Sequence, residues 1–178
     1  PNPIARRAEQ LPSPLERTNT VLYTGRLHPE KGLELLLAAW HRAAPHLLGW
    51  RLRIVGPWKA EHGGGGAAYL DLLRGKAAGR PVDFVEPTFD LNVLDREYRT
   101  AAMFVYPSLA SRGESFGLAP LEAMAFGTPA IVSGLACFRD FITPEVNGLV
   151  FEHEEGNAAG GLAERIVRLG TEHELRTA

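Results

Sequence analysis

Glu114 and Glu122 stand with seven residues between them, the run Ser115-Phe116-Gly117-Leu118-Ala119-Pro120-Leu121. A glycine lies inside that run. Apolar residues at helical spacing, Leu118, Leu121, Met124 and Ala125, begin beside it. A turn, a helix N-terminus and two acceptor groups therefore share one short region. The first N–H groups of a helix have no intrahelical partner and attract anions. Ionised carboxylates only accept hydrogen bonds, so hydroxyls are their natural partners. The region suits a ligand that is part anion and part polyol.

A second loop supplies cations. Gly25-Arg26-Leu27-His28-Pro29-Glu30-Lys31-Gly32 sits between an apolar run and a helical pattern, and puts Arg26 and Lys31 beside another helix start. That arrangement fits a phosphate or diphosphate. It is neither a Walker loop nor a G-x-G-x-x-G fingerprint. Taken singly, Arg26 and Lys31 read equally well as solvated loop charges, Glu114 as an acid placed before a helix, and Glu122 as a surface helix residue. A helix end is worth about 0.3–1 kcal/mol to a nearby anion, rising to about 2 when partly buried. A hydrogen bond to a charged group adds about 1.5–3 kcal/mol. Neither term alone makes a tight site, but two loops and two cations on one diphosphate can. Carboxylates repel phosphate, so if Glu114 and Glu122 line the same site they face something else, and hydroxyls are the natural partners. A diphosphate between two polyols is a nucleotide-sugar, with Glu122 on the ribose and Glu114 on the transferred sugar.

Short apolar strands alternate with helical patterns around these loops. The strands read as 20–24, 51–55, 82–85, 103–106, 129–132 and 148–151. The helices read as 33–44, 67–78, 91–102, 118–126 and 158–169, with Gly63–Gly66 as a mobile loop. Such alternation predicts βαβ units, a parallel sheet of about six strands and a Rossmann-like three-layer α/β/α sandwich. Ligands then bind outside the carboxyl ends of the strands. Residues 1–19 read as a linker or arm, 20–170 as the domain and 171–178 as a tail. Asp90, in a loop, is a candidate acid with nothing to pair with.

The 178 residues carry a formal net charge of -2 and are 45% hydrophobic, enough for one core. That balance argues against a nucleic-acid surface. The apolar runs are far short of a membrane span. The start, Pro1-Asn2-Pro3, lacks Met and any signal-peptide pattern, and reads as a piece cut from a longer protein. Cys137 is the lone cysteine and reads as a small, half-buried apolar residue in a reducing compartment. The six histidines show no ligand spacing and read as surface residues.

Together these residues match a known pattern. Gly25-Arg26-Leu27 with Lys31-Gly32, Ile54-Val55-Gly56, Val105-Tyr106-Pro107-Ser108, Gly113 to Gly117, Leu121 to Ala125, Gly127-Thr128-Pro129 and Asn147 to Val150 run in order over about residues 20–170. The chain resembles the C-terminal, donor-binding domain of GT-B retaining glycosyltransferases of glycosyltransferase family 4 (glycosyl transferases group 1). The resemblance implies that Arg26 and Lys31 bind the donor diphosphate and stabilise the departing nucleoside diphosphate. It implies that Glu114 contacts the sugar and Glu122 holds the ribose. Gly25, Gly56, Ser115, Phe116, Gly117 and Leu118 complete the donor site. It also implies a cytoplasmic hexosyltransferase of carbohydrate biosynthesis, with a UDP-, GDP- or ADP-sugar as substrate and no metal. The acceptor-binding N-terminal domain is then a missing partner, and any peripheral membrane contact would run through it. The fragment alone is expected to bind without turnover. A GT-B epimerase or phosphorylase, or a non-catalytic nucleotide-sugar sensor, remains the alternative. The chain departs from the family at Glu86-Pro87, where a glycine is common near the base, and in a longer segment from Ser108 to Glu114.

Overall fold

A computed structural model describes residues 17–87, 90–110, 114, 117–154 and 156–177. The strands are β1 (Thr18–Thr24), β2 (Arg51–Val55), β3 (Val82–Val85), β4 (Ala101–Tyr106), β5 (Ala130–Ser133) and β6 (Leu149–Phe151). They form one parallel sheet in the order β3-β2-β1-β4-β5-β6 among the described residues. The helices are α1 (Leu33–Ala43), α2 (Gly66–Ala77), α3 (Leu91–Thr100), α4 (Leu118–Ala125), α5 (Ala158–Thr171) and α6 (His173–Thr177). α1 packs between α2 and α5 on one face of the sheet, and α3 packs beside α4 against β1 and β4 on the other. This is the expected three-layer Rossmann-like sandwich. Every residue of β4 and β5 is buried, as the continuous apolar runs of a sheet covered on both faces require.

The strand order reverses between β1 and β4. Loops leaving these two neighbours at their carboxyl ends diverge to opposite faces and leave a crevice, the usual ligand position in such sheets. Both loops singled out in the sequence rise from this point, one after Thr24 and the other after Tyr106.

Several expected boundaries move. The arm expected over 1–19 gives way before its end, because β1 begins at Thr18. Arg17 donates to the carbonyls of Tyr98, Ala101 and Phe126 and to Thr128 Oγ1, which ties the strand's entry to α3, β4 and the end of α4. Ala101 and Ala102 belong to β4 and not to the preceding helix: alanine favours helices, but Ala101 pairs with Thr18 in the sheet. The run Gly63–Gly66, expected as a mobile loop, is bonded into its surroundings: Gly64 N donates to Lys59 O, Gly65 N to Leu27 O and Gly66 N to Trp58 O. The expected tail carries the end of α5 and then α6, whose Arg176 guanidinium lies 5.4 Å over the Trp50 ring. Residues 1–16 and Ala178 fall outside the described residues.

Candidate functional site

The β1 loop is pinned from below. Gly25 N donates to Val55 O (3.0 Å) and Leu27 N to Pro57 O (2.9 Å), so this loop lies along the chain at Gly56 that follows β2. Tyr23 Oη donates to Arg26 O (3.0 Å). The two cations are then not equivalent. Arg26 is exposed; its guanidinium donates to Gly63 O (2.9 Å) and Glu30 Oε1 (2.8 Å). Lys31 is buried, and its Nζ also lies 4.0 Å from Glu30 Oε1. One anionic oxygen thus stands within reach of both cations. Gly32 ends the loop and precedes α1 with φ 70°, a left-handed conformation; a Cβ here would overlap the Pro107 carbonyl oxygen. Leu109 N donates to Glu30 O (2.8 Å), which closes the β1 loop against the β4 loop.

The β4 loop brings Glu114 to Lys31. Their Nζ–Oε2 distance is 2.7 Å, with side chains only 8% and 9% exposed. The same oxygen accepts from Ser108 Oγ (2.8 Å) and Tyr106 Oη (3.3 Å). Ser108 is fully buried, and its own carbonyl accepts from Ser133 Oγ of β5 (2.6 Å). Lys31 Nζ also sits 5.7 Å from the centroid of the Tyr106 ring, which stacks on Tyr23 at 5.9 Å. Burial, reinforced by Glu114, raises the Tyr106 pKa; burial, then Tyr106 and Glu114, raises that of Tyr23 well above 10.0. Both hydroxyls therefore stay protonated as donors.

Gly117 precedes α4 with φ 63°, and a Cβ there would overlap the Phe138 ring. Leu118 opens the helix half-exposed. Glu122, one turn on, is half-buried, and its Oε2 accepts from Tyr98 Oη (3.0 Å). Tyr98 Oη is also 2.8 Å from Thr24 Oγ1 at the end of β1. The structure thus gathers Gly25, Arg26, Lys31, Glu114, Gly117, Leu118 and Glu122 around the switch point, with Gly56 behind the β1 loop. Ser115 and Phe116 lie outside the described residues.

Sequence reasoning missed Tyr106, Ser108, Tyr98 and Thr24 as supports of the two carboxylates. The Tyr106-Pro107-Ser108 triplet was visible, but a hydroxyl's target depends on strand order. Asp90, expected to have nothing to pair with, has a partner: its side chain caps α3, accepting from Asn92 N (2.9 Å). His153 departs from the surface placement expected for the histidines. Its side chain is 10% exposed, and Nδ1 is buried without a hydrogen-bond partner among the described residues. Cys137 is half-buried, its thiol pKa pushed up by burial and by Glu114. Glu86 is exposed at the end of β3. Among the described residues no group of three or more His, Cys, Asp or Glu is gathered for a metal ion, and no helix is long and apolar enough to cross a membrane.

A family model described as glycosyl transferases group 1 matches residues 18–172. The lipopolysaccharide core biosynthesis mannosyltransferase LpcC of Rhizobium leguminosarum bv. viciae is 31% identical over 138 residues, which is 75% of this chain and 36% of that protein. The glycogen synthase of Thermus thermophilus is 32% identical over 160 residues, 88% of this chain and 33% of that one. Among solved structures, the sucrose-phosphate synthase of Thermosynechococcus elongatus superposes with TM-score 0.73 at 30% identity, covering 93% of this chain and 39% of that one. The C-terminal domain of a glycosyl transferase group 1 family protein (LpcC) from Francisella tularensis shares the fold, with TM-score 0.73 at 18% identity over 98% of this chain and 89% of that one. The chain spans about a third of the length of the curated relatives it matches.

Proposed function

Since the chain belongs to the glycosyl transferases group 1 family, of GT-B type, we propose that it is the nucleotide-sugar donor-binding domain of a retaining, family 4 glycosyltransferase. The observation that carries this reading is the meeting of the two loops at the switch point. There Lys31 and Glu114 lie 2.7 Å apart, and both cations reach toward Glu30 Oε1. A diphosphate oxygen can take that anionic position. Lys31 has three N–H donors, so it can hold Glu114 and a phosphate oxygen together.

On this reading the donor diphosphate lies against Arg26, Lys31 and the first turns of α1 and α4. Glu114, its Oε2 steadied by Tyr106 and Ser108, accepts from hydroxyls of the transferred sugar, and Glu122 accepts from the ribose. As the glycosyl bond loosens, negative charge builds on the departing nucleoside diphosphate, and the two fixed cations stabilise it there. No metal enters this scheme, because side-chain cations meet the leaving-group charge. The acceptor is bound by a second domain and attacks from the face the nucleotide leaves, which retains the anomeric configuration.

Calorimetry with inorganic pyrophosphate and with UDP, GDP and ADP tests the site. Arg26→Ala is expected to weaken pyrophosphate and nucleoside diphosphate alike, and Glu122→Ala only the latter. Unchanged affinities in both variants would refute the site. A thermal-shift panel of UDP-, GDP- and ADP-sugars identifies the base, since a ligand that binds only the folded chain stabilises it by RT ln(1 + [L]/Kd).

A further inference from the structure

Tyr98 lies in α3, on none of the loops discussed above, and is 1% exposed. Its ring is packed between Phe104, at 5.8 Å edge-on, and Phe126, at 5.8 Å stacked. Its hydroxyl reaches two polar side chains, Thr24 Oγ1 at 2.8 Å and Glu122 Oε2 at 3.0 Å. The direction of these bonds follows from proton inventory. An ionised carboxylate only accepts, so the single Tyr98 proton points to Glu122. Thr24 must then donate to the Tyr98 oxygen. The chain of bonds runs Thr24→Tyr98→Glu122 and crosses beneath the switch point, from the last residue of β1 through α3 to α4. It joins the residue that immediately precedes the cationic loop to the carboxylate on the other side of the crevice.

We propose that Tyr98 is a positioning residue for nucleotide recognition: its hydroxyl, itself oriented by Thr24, fixes the Glu122 carboxylate in the setting that accepts the ribose hydroxyls. This rests on the donor-site reading above. The aromatic packing makes the assignment separable from folding. Phenylalanine at this position keeps both ring contacts and removes only the oxygen. Without that hydroxyl Glu122 loses the 3.0 Å bond that sets its carboxylate, more of its ordering falls to the ligand, and that entropy lowers affinity.

The test measures binding of UDP, GDP and ADP to the chain. It adds the matching nucleoside diphosphates lacking both ribose hydroxyls, and inorganic pyrophosphate. Tyr98→Phe is expected to weaken the ordinary nucleoside diphosphate about tenfold, which corresponds to about 1.4 kcal/mol. It is expected to leave pyrophosphate and the hydroxyl-free analogue unchanged. General loosening of the site would weaken all three ligands and would overturn the proposal. So would a Tyr98→Phe variant that binds like the parent while Glu122→Ala loses affinity, an outcome that leaves the donor site standing. Unchanged binding in both variants, or no binding to the parent chain, overturns the donor-site reading and this inference with it. If Tyr98→Phe fails to fold, Thr24→Val decides: a smaller loss confined to the hydroxyl-bearing nucleotide supports the bond chain, and unchanged binding overturns it.

Discussion

Lys31→Met removes the ammonium from the centre of the site and keeps most of its stem, with a polarisable sulfur near the Tyr106 ring. Glu114 then keeps the Ser108 and Tyr106 hydroxyls but loses the ammonium 2.7 Å from its Oε2. Removing one partner of a buried ion pair costs about 3–5 kcal/mol, because the remaining charge is stranded. Here the side chains keep 8% and 9% exposure and two hydroxyls still hold Oε2, so the expected loss is smaller, about 2–3 kcal/mol. For a domain of this size that is a fall in Tm of about 4–12 °C. Urea and thermal denaturation at neutral pH, read by circular dichroism, measure it. Adding Glu114→Gln removes the stranded charge, so the double variant should recover about 1 kcal/mol relative to the sum of the single losses. A Lys31→Met chain within about 0.5 kcal/mol of the parent, or single losses that simply add, would refute the account of a coupled, desolvated pair.

Gly32→Ala should destabilise more than a surface change, since φ is 70° and the new methyl would meet the Pro107 carbonyl; a melting curve indistinguishable from the parent's would contradict the loop contact. Arg26→Ala should cost little stability, about 0.2–1 kcal/mol, because its pair with Glu30 is 44% and 37% exposed, while pyrophosphate affinity falls. Tyr23 and Tyr106 have folded-state pKa values raised above the ordinary 10.0. Their contribution is therefore complete below about pH 10 and is lost as pH climbs through the raised values. A near-UV absorbance titration should show these two tyrosines ionising only with alkaline unfolding, and reversible titration of all four near pH 10 in a folded chain would exclude the burial argument. Finally, residues 1–178 should bind a nucleoside diphosphate without transferring sugar; turnover by this chain alone would overturn the two-domain reading.

Local pattern carried most of the architecture. The runs Arg51–Val55 and Val82–Val85 occupy the strands their composition indicates, because β-branched and aromatic residues suit a pleated, buried surface. Where local preference misled, a long-range partner had overruled it. Ala101 and Ala102 are good helix formers, yet sheet pairing to β1 and the Arg17 bond to Ala101 O claim them. The glycines at 63–66 suggested freedom, yet their N–H groups are bonded to Lys59, Leu27 and Trp58.

The candidate site divides in the same way. Residue types and spacing along the chain were sufficient to pick out Arg26, Lys31, Glu114 and Glu122 as two cations and two acceptors beside helix starts, because ionic state and hydrogen-bond capacity belong to the side chain itself. Tertiary structure alone made Lys31 buried and Arg26 exposed, set Glu114 rather than solvent against Lys31, and brought Thr24, Tyr98 and Glu122 into one chain of bonds. Those relations span up to 98 positions in sequence, from Thr24 to Glu122. They arise because β1 and β4 become neighbours at the switch point, and strand order is settled by packing of the whole sheet rather than by any segment within it.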